Sequence, residues 1–498
     1  MPRFRSKAAF WDITFVGTTL AITTGARGEP GTTSVERFDS AAQARRAYVD
    51  RVRAQTFGPA RFDPLPAEAV ASTRRFVRGT ETWDVTLDGL RVAERSGTGE
   101  PSVREHADRA AARATYNDRL RAQLAAGYVE RGAHNPELER AIEDDPDDPA
   151  AYSVLADCLQ SHGDPRGELI ALQLAGQDLE AAARLAADRA RFLGPLAEHE
   201  LCYDHLYHRP VPPAFEWRHG FIQTARMSYN AIWEEAFKGP ICDVLELLLR
   251  HPSGRFLVEL VLMYNGDPSE DDLQSLIDCL VRLAPPTLRR LVIGDEVDQI
   301  SWYHVGDLGA VWAAAPRLRE LEIEAGTFAL GTIEAPELRR AIFKTGGLSA
   351  DSGDAIAHAV VPAIEQLEIY FGDPEYGATC GMQPVHVLLD RTDLPHLHHL
   401  GLEDAVFADE ICAALPGSKL LRQLRSLDLS QGIMTDAGAQ ILLDHADAFA
   451  HLDVLNLEHN YLSAGMVTKL RGLAKRVIVD DQKDDEGDVE LRYVTVGE

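Results

Sequence analysis

The chain has 498 residues, 45% apolar and 26% charged. These ordinary values exclude wholesale disorder, a collagen-like repeat and a disulfide scaffold, and at roughly 150 residues per domain they imply about three domains. Lys and Arg number 50 against 78 Asp and Glu, a net charge of −28, which argues against nonspecific binding to nucleic acid or anionic membrane. Residues 1–133 nevertheless carry 21 basic and 16 acidic side chains, net +5, leaving −33 on the remainder.

The six cysteines (Cys158, Cys202, Cys242, Cys279, Cys380 and Cys412) are scattered without a CxxC pair, as expected of reduced intracellular thiols. The first residues include basic side chains but no apolar stretch of a secretion signal, and no run approaches ~18 apolar residues. These features predict a cytoplasmic protein without a membrane partner.

The N-terminal region is a tandem duplication: FWDITFVGTTLAITTGARGEPG from Phe10 recurs as TWDVTLDGLRVAERSGTGEP from Thr82. Trp11 matches Trp83 and Gly17 matches Gly89. Each copy opens on an alternating strand, Trp11/Ile13/Phe15 or Trp83/Val85/Leu87. A second strand, a Gly-rich turn, a third strand and a helix come next, the helices at Ser40 to Thr56 and Ala107 to Ala125. This order, the leading Trp and the glycines Gly25, Gly28 and Gly31 resemble the WGR domain of DNA-dependent poly(ADP-ribose) polymerases and many bacterial proteins. The Trp-Gly-Arg triplet of that family falls here on Thr24-Gly25-Ala26 and Ser96-Gly97-Thr98, so neither copy keeps its Trp or Arg. Basic side chains remain, at Arg27, at Arg45, Arg46, Arg51 and Arg53, and at Arg109, Arg113, Arg119 and Arg121. Arginine suits bidentate phosphate contacts, so Arg27, Arg45, Arg46, Arg109 and Arg113 are candidate nucleic-acid contacts. The competing expectation is a set of solvated faces paired with Glu36, Asp50, Asp108 and Asp118.

From Asn135 the chain reads as three short helices. Asn135-Pro136 starts the first, Asp145 to Pro149 breaks it, Gly163 stops the second and Asp164-Pro165 starts the third. EDDPDDPAAYSVLADCL and GDPRGELIALQ resemble the repeat-companion domain of bacterial proteins, a resemblance that implies no chemistry. The aspartates Asp144, Asp145, Asp147 and Asp148 lack the Gly and Glu positions of a calcium loop. His199, Cys202, His205 and His208 form the one metal-like spacing, but steps of three drift about 60° on a helix and cannot all converge. No metal and no cofactor is expected. Phe215 to Phe221 reads as the entry strand of the C-terminal region.

There LxxLxL recurs every 20–33 residues, at Leu257/Leu260/Leu262, Leu288/Leu291/Ile293, Leu318/Leu321/Ile323, Leu338/Ala341/Phe343, Ile364/Leu367/Ile369, Leu397/Leu400/Leu402, Leu424/Leu427/Leu429 and Leu452/Leu455/Leu457. The last unit runs on to Asn460 and Leu462. Helix-like runs lie between, at Leu273 to Leu283, Val305 to Trp312 and Thr435 to Leu443. The pattern resembles the ribonuclease-inhibitor-like leucine-rich repeat, closed by a strand at Val477 to Val479 and a polar tail. With leucines inward, Glu320, Glu322, Glu324, Glu368, Tyr370, His399, Glu403, Asp428, Asn456 and Glu458 fall on the concave side. An acidic strip of this kind predicts a protein partner with a basic surface. Glutamates that only keep the face solvated are the alternative.

The fold class expected is therefore α/β and α+β multidomain: two small sheet-plus-helix units at 1–62 and 63–133, a helical module at 134–235 and a leucine-rich-repeat solenoid at 236–498. No Walker A loop, HExxH or GxSxG stands in a supporting context. The sequence predicts a noncatalytic recognition scaffold. Its alternatives are a nucleic-acid adaptor acting through residues 1–133 and a metal-dependent hydrolase resting on His199, Cys202 and His205.

Overall fold

The computed structural model describes residues 3–6, 8–57, 63–64, 71–131, 135–199, 203–204, 209–210, 214–228, 241–263, 273–294, 300, 303–485 and 488–496. It is a mixed α/β, multidomain chain that divides into two compact units, Met1–Gly266 with Leu283–Leu288, and Asp267–Arg282 with Arg289–Glu498.

In the first unit the duplication becomes two five-stranded antiparallel sheets, each with one helix. The first sheet runs Thr32–Arg37, Thr19–Ala26, Ala9–Val16, Arg3–Arg5, Asp63–Pro64. The second runs Val129–Glu130, Ser72–Arg78, Glu81–Asp88, Arg91–Ser96, Ser102–Glu105. Alternation in Ala9–Val16 buries Trp11, Ile13 and Phe15 against Ala44, Tyr48 and Val52 of the helix Ala41–Phe57. The equivalence extends to a pair not marked by the repeat itself. Phe4 lies opposite Trp11 and Phe76 opposite Trp83, with ring centroids 4.9 and 5.2 Å apart. Gly17 and Gly89 hold the same left-handed turn at φ 58° and 55°, which a Cβ disfavours.

The helices Pro136–Asp144, Pro149–Ser161 and Pro165–Leu174 each start with proline after a capping side chain, Asn135, Asp148 or Asp164, that accepts a backbone N–H of the first turn. Ile142, Tyr152, Leu155, Leu159 and Ile170 pack with Phe221 and Phe256. That contact seats the helices against the hairpin Phe215–Arg218/Phe221–Ser228, whose second strand runs parallel to Glu259–Met263.

In the second unit the strands Arg290–Ile293, Glu320–Glu324, Arg340–Lys344, Gln366–Gly372, His399–Ala405, Ser426–Asp428, Val454–Asn456 and Arg476–Ile478 lie side by side in sequence order, all parallel. Parallel neighbours require a crossover, and helices such as Ala350–Ala357, Met382–Leu389, Ala408–Ala414, Asp436–Asp444 and Ala464–Leu470 come after successive strands. Leu321, Ala341, Leu367, Leu400, Leu427 and Leu455 occupy one cross-strand row and are buried. Asn460, fully buried, accepts the Met434 N–H at 2.9 Å and donates to the Leu429 carbonyl at 2.9 Å, tying its loop to the segment after the preceding strand.

One expected helix is corrected. Residues 304–307 form a strand paired with Thr327–Ala329, and only Val311–Ala314 is helical. Gly306 sits at φ 82° inside the run, outside helical backbone.

Candidate functional site

The face of the second unit's sheet opposite the leucines presents three cross-strand rows. The first contains Arg290, Glu320, Arg340, Gln366, His399, Ser426 and Val454. The second contains Val292, Glu322, Ile342, Glu368, Gly401, Asp428 and Asn456, and the third includes Glu324, Lys344, Tyr370 and Glu403. The acidic positions predicted from spacing do fall together on this face. They are not uniformly available. Arg290 holds Glu320 at 3.1 Å and Glu322 at 3.3 Å, Arg340 also reaches Glu322 at 3.3 Å, and Lys344 holds Glu324 at 2.6 Å. Arg290, Arg340 and Lys344 are absent from the expected contacts. Each stands at the same alternate repeat positions as the glutamates, so the rule that found the acids would have found their counter-ions.

From Gln366 onward the balance changes. The face there carries Glu368, Glu403 and Asp428 against His399, whose Nε2 is 3.2 Å from Glu368, and against Arg476, which continues the first row beyond Val454. Gly401 lies between Glu368 and Asp428, and a Cβ on it would stand 2.5 Å from Glu403 Oε1 and 3.1 Å from Glu368 Cγ. The missing side chain makes the hollow into which the Glu403 carboxyl folds. Burial, then repulsion from Asp428 and Glu368, push the Glu403 carboxyl up to about 9. Glu403 is thus held protonated at neutral pH, chiefly by burial and secondarily by the negative charge of its neighbours. Asp428 accepts the Ser430 N–H and the Asn456 amide, each at 2.9 Å, and Asn456 accepts the Glu458 N–H at 3.1 Å.

Part of the face is covered by the chain itself. Beyond the last strand the tail turns back, and Val496 packs with Ile300, Ile342 and Tyr370. The Thr495 and Val496 N–H groups both donate to Asp404 Oδ1 at 2.8 Å. Asp404 stands in left-handed backbone at φ 56°, a conformation aspartate tolerates better than most residues, and is fully buried. Burial pushes its carboxyl up to about 7 against the pull of those two N–H groups. Lys483 secures the turn by donating to the Gln431, Gly432 and Tyr493 carbonyls, and Arg492 pairs with Asp485 at 2.7 Å. Of the residues expected on the concave side, Tyr370, Glu403 and Glu324 are buried, Tyr370 against Val496 of the tail. Glu320, Glu322, Glu368, Asp428, Asn456 and Glu458 retain partial exposure.

The arginines singled out near the N-terminus do not act as one surface. Arg113 is buried, at 3% exposure. Arg45 forms a bidentate pair with Glu216 at 2.7 and 3.0 Å. Arg109 is half-buried, and Arg27 and Arg46 are exposed. Arg51 pairs with Glu36 at 3.0 Å, as a solvated face would. Cys202, His205 and His208 lie outside the described residues, as does the side chain of His199. Among the described residues no group of three His, Cys, Asp or Glu side chains is arranged to hold a metal ion, and no helix is long and apolar enough to cross a membrane.

No protein-family model and no curated protein matches the chain. Among solved structures it is similar to a Bacteroides fragilis protein from a structural genomics programme, at 21% sequence identity and a TM-score of 0.49, covering 85% of this chain and 99% of that one.

Proposed function

We propose that the chain is a noncatalytic cytoplasmic recognition scaffold whose second unit is a leucine-rich-repeat array. In this reading the array binds a basic segment of a protein partner, and the two N-terminal units are degenerate WGR-like domains beside a repeat-companion module. The in-order parallel strands, the buried row of leucines and the Asn460 bonds between adjacent turns support the repeat reading.

The observation that carries the partner's chemistry is the change in charge along the face. Arginine and lysine ion pairs across the face stop at Lys344, while Glu368 and Asp428 continue beyond it and the next cation, Arg476, stands on the last strand. Cationic side chains docked there meet the uncompensated charge of Asp428 and Glu368, and opposite potential steers their approach. The nucleic-acid alternative is weaker, since Arg113 is buried and Arg45 is committed to Glu216.

The test is amide hydrogen exchange on the full chain with and without a lysine- and arginine-rich peptide. Added protection is expected in Gln366–Gly372, Ser426–Asp428 and Val454–Asn456. Protection confined to residues 1–133, or none at all, would reject the assignment.

A further inference from the structure

The first unit encloses a cavity of about 270 Å³ bordered by six arginines, Arg74, Arg75, Arg131, Arg166, Arg191 and Arg255. Two carboxylates, Glu130 and Asp164, share its wall. The chain as a whole is strongly acidic, so a local excess of four positive charges runs against its bulk composition. Counter-ions reaching in from outside the lining reduce the excess without removing it. Arg75 is held by Asp84 at 2.6 Å, a carboxylate it shares with Arg95, and Arg255 is held by Glu139 at 2.6 Å. Glu130 is engaged by Arg74 through two bonds of 2.7 and 2.8 Å, and Asp164 by Arg191 at 3.0 Å.

Arg166 is the buried member that the fold leaves without an ion pair among the described residues, whereas Arg131 is exposed. It is 6% exposed and extends from the helix Pro165–Leu174. It donates to the Gly220 carbonyl and to Ser253 Oγ, and its guanidinium lies 5.4 and 4.8 Å from the ring centroids of Phe192 and Phe221. Neutral acceptors and aromatic faces orient the cation, but among the described residues no carboxylate contacts it. A buried charge without a counter-charge is costly. Arginine cannot shed its proton at working pH, so it cannot escape that cost as Glu403 does. Neighbouring His251 is fully buried and accepts the Ser253 N–H at Nδ1, which leaves Nε2 to carry the proton. Burial, then Arg74 and Arg166, hold His251 neutral, well below its ordinary range. Ser72 and Thr73 add hydroxyl groups to the wall.

We infer that this cavity binds a small phosphate-bearing molecule, with Arg166 and Arg191 among its ligands and Arg131 at its exposed edge. Guanidinium forks match the oxygens of a phosphoryl group, and the volume, near the lower bound of ligand pockets, fits a compact oxyanion or a small organophosphate better than a polymer. The inference is independent of the protein partner assigned to the second unit, because no residue is shared.

Calorimetric titration of the full chain with inorganic pyrophosphate tests it, alongside sulfate and a short DNA duplex. One-to-one pyrophosphate binding tighter than about 1 mM is expected, together with an NMR-detected rise in the His251 pKa as the added anion stabilises the imidazolium. Arg131→Gln with Arg191→Gln should weaken that binding by at least ~10-fold, since each removes a charge-assisted contact. Both side chains are exposed, so the double variant should fold, whereas Arg166→Met serves as the more drastic second probe. Absence of saturable binding, equal binding by the double variant, sulfate binding as tightly as pyrophosphate, or duplex DNA binding that survives the double variant while pyrophosphate fails to compete would each overturn the assignment.

Discussion

Arg166 in the first unit and Glu403 in the second are buried groups of opposite charge type that the fold handles differently. In the first, Arg166 keeps its positive charge because guanidinium does not deprotonate, so the fold surrounds it with the Gly220 carbonyl, Ser253 and two aromatic rings. In the second, Glu403 is crowded by Asp428 and Glu368 and neutralises itself by taking up a proton. A buried cation of this kind constrains structure at every pH. A buried carboxyl becomes a pH-dependent liability.

The largest effect should come from breaking the first arrangement. Arg166→Met removes two charge-assisted hydrogen bonds and two cation–π contacts, and should cost on the order of 2–4 kcal/mol. The loss should appear as faster amide exchange in Phe221–Ser228, with the second unit's strands unaffected. A stabilised variant would mean that the desolvation of the cation outweighs everything that holds it.

Next comes the tail. Asp404→Ala deletes the acceptor of the Thr495 and Val496 N–H groups and places alanine in left-handed backbone, for roughly 2–3 kcal/mol. Asp404→Asn keeps an acceptor and a tolerated conformation and should cost about 1 kcal/mol or less. Exchange rates of the Thr495 and Val496 amides distinguish the two.

The pH behaviour of the second unit sharpens the contrast. Glu403 and Asp404 have folded values raised to about 9 and about 7 above ordinary carboxylate values. The folded state therefore binds more protons than the unfolded state, and stability from these groups falls as pH rises from about 4 toward 9. Glu403→Gln should flatten that decline, stabilising the unit by on the order of 2 kcal/mol at pH 8 and leaving it unchanged at pH 4. Urea titrations at the two pH values give the comparison directly. The smallest effect is expected at the exposed Arg51–Glu36 pair, where Arg51→Ala should change stability by less than about 0.5 kcal/mol.

Local signals were the legible part of this fold. The Trp11/Trp83 duplication gives two antiparallel sheets with a helix each, the capping residues Asn135 and Asp164 start helices, and leucine spacing locates the parallel strands. Alternation within those strands also put Glu368 and Asp428 on one face. What escaped depends on residues distant in the chain. The Asp404 bonds to the tail span 91 and 92 positions, so nothing local marks that carboxylate as a buried anchor. The same holds for the arginine cavity, which gathers residues from Ser72 to Arg255 that no local pattern connects. Arg290, Arg340 and Lys344 are a different kind of miss, because repeat position alone places them beside the glutamates they neutralise.

In the proposed function the uncompensated part of the second unit's polar face, rather than net charge, selects a basic partner. Calorimetric titration of the full chain with a lysine- and arginine-rich peptide tests this most directly, comparing Glu368→Lys on that face plus Glu458→Lys in the turn directly after Val454–Asn456 against Asp351→Lys with Asp444→Lys on the exposed surface of the helices Ala350–Ala357 and Asp436–Asp444. The two doubles change net charge identically. Loss of at least ~10-fold in affinity for the first, and less than about 2-fold for the second, is the predicted result. Equal losses would reduce the effect to bulk electrostatics and contradict the claim, as would unchanged binding by both.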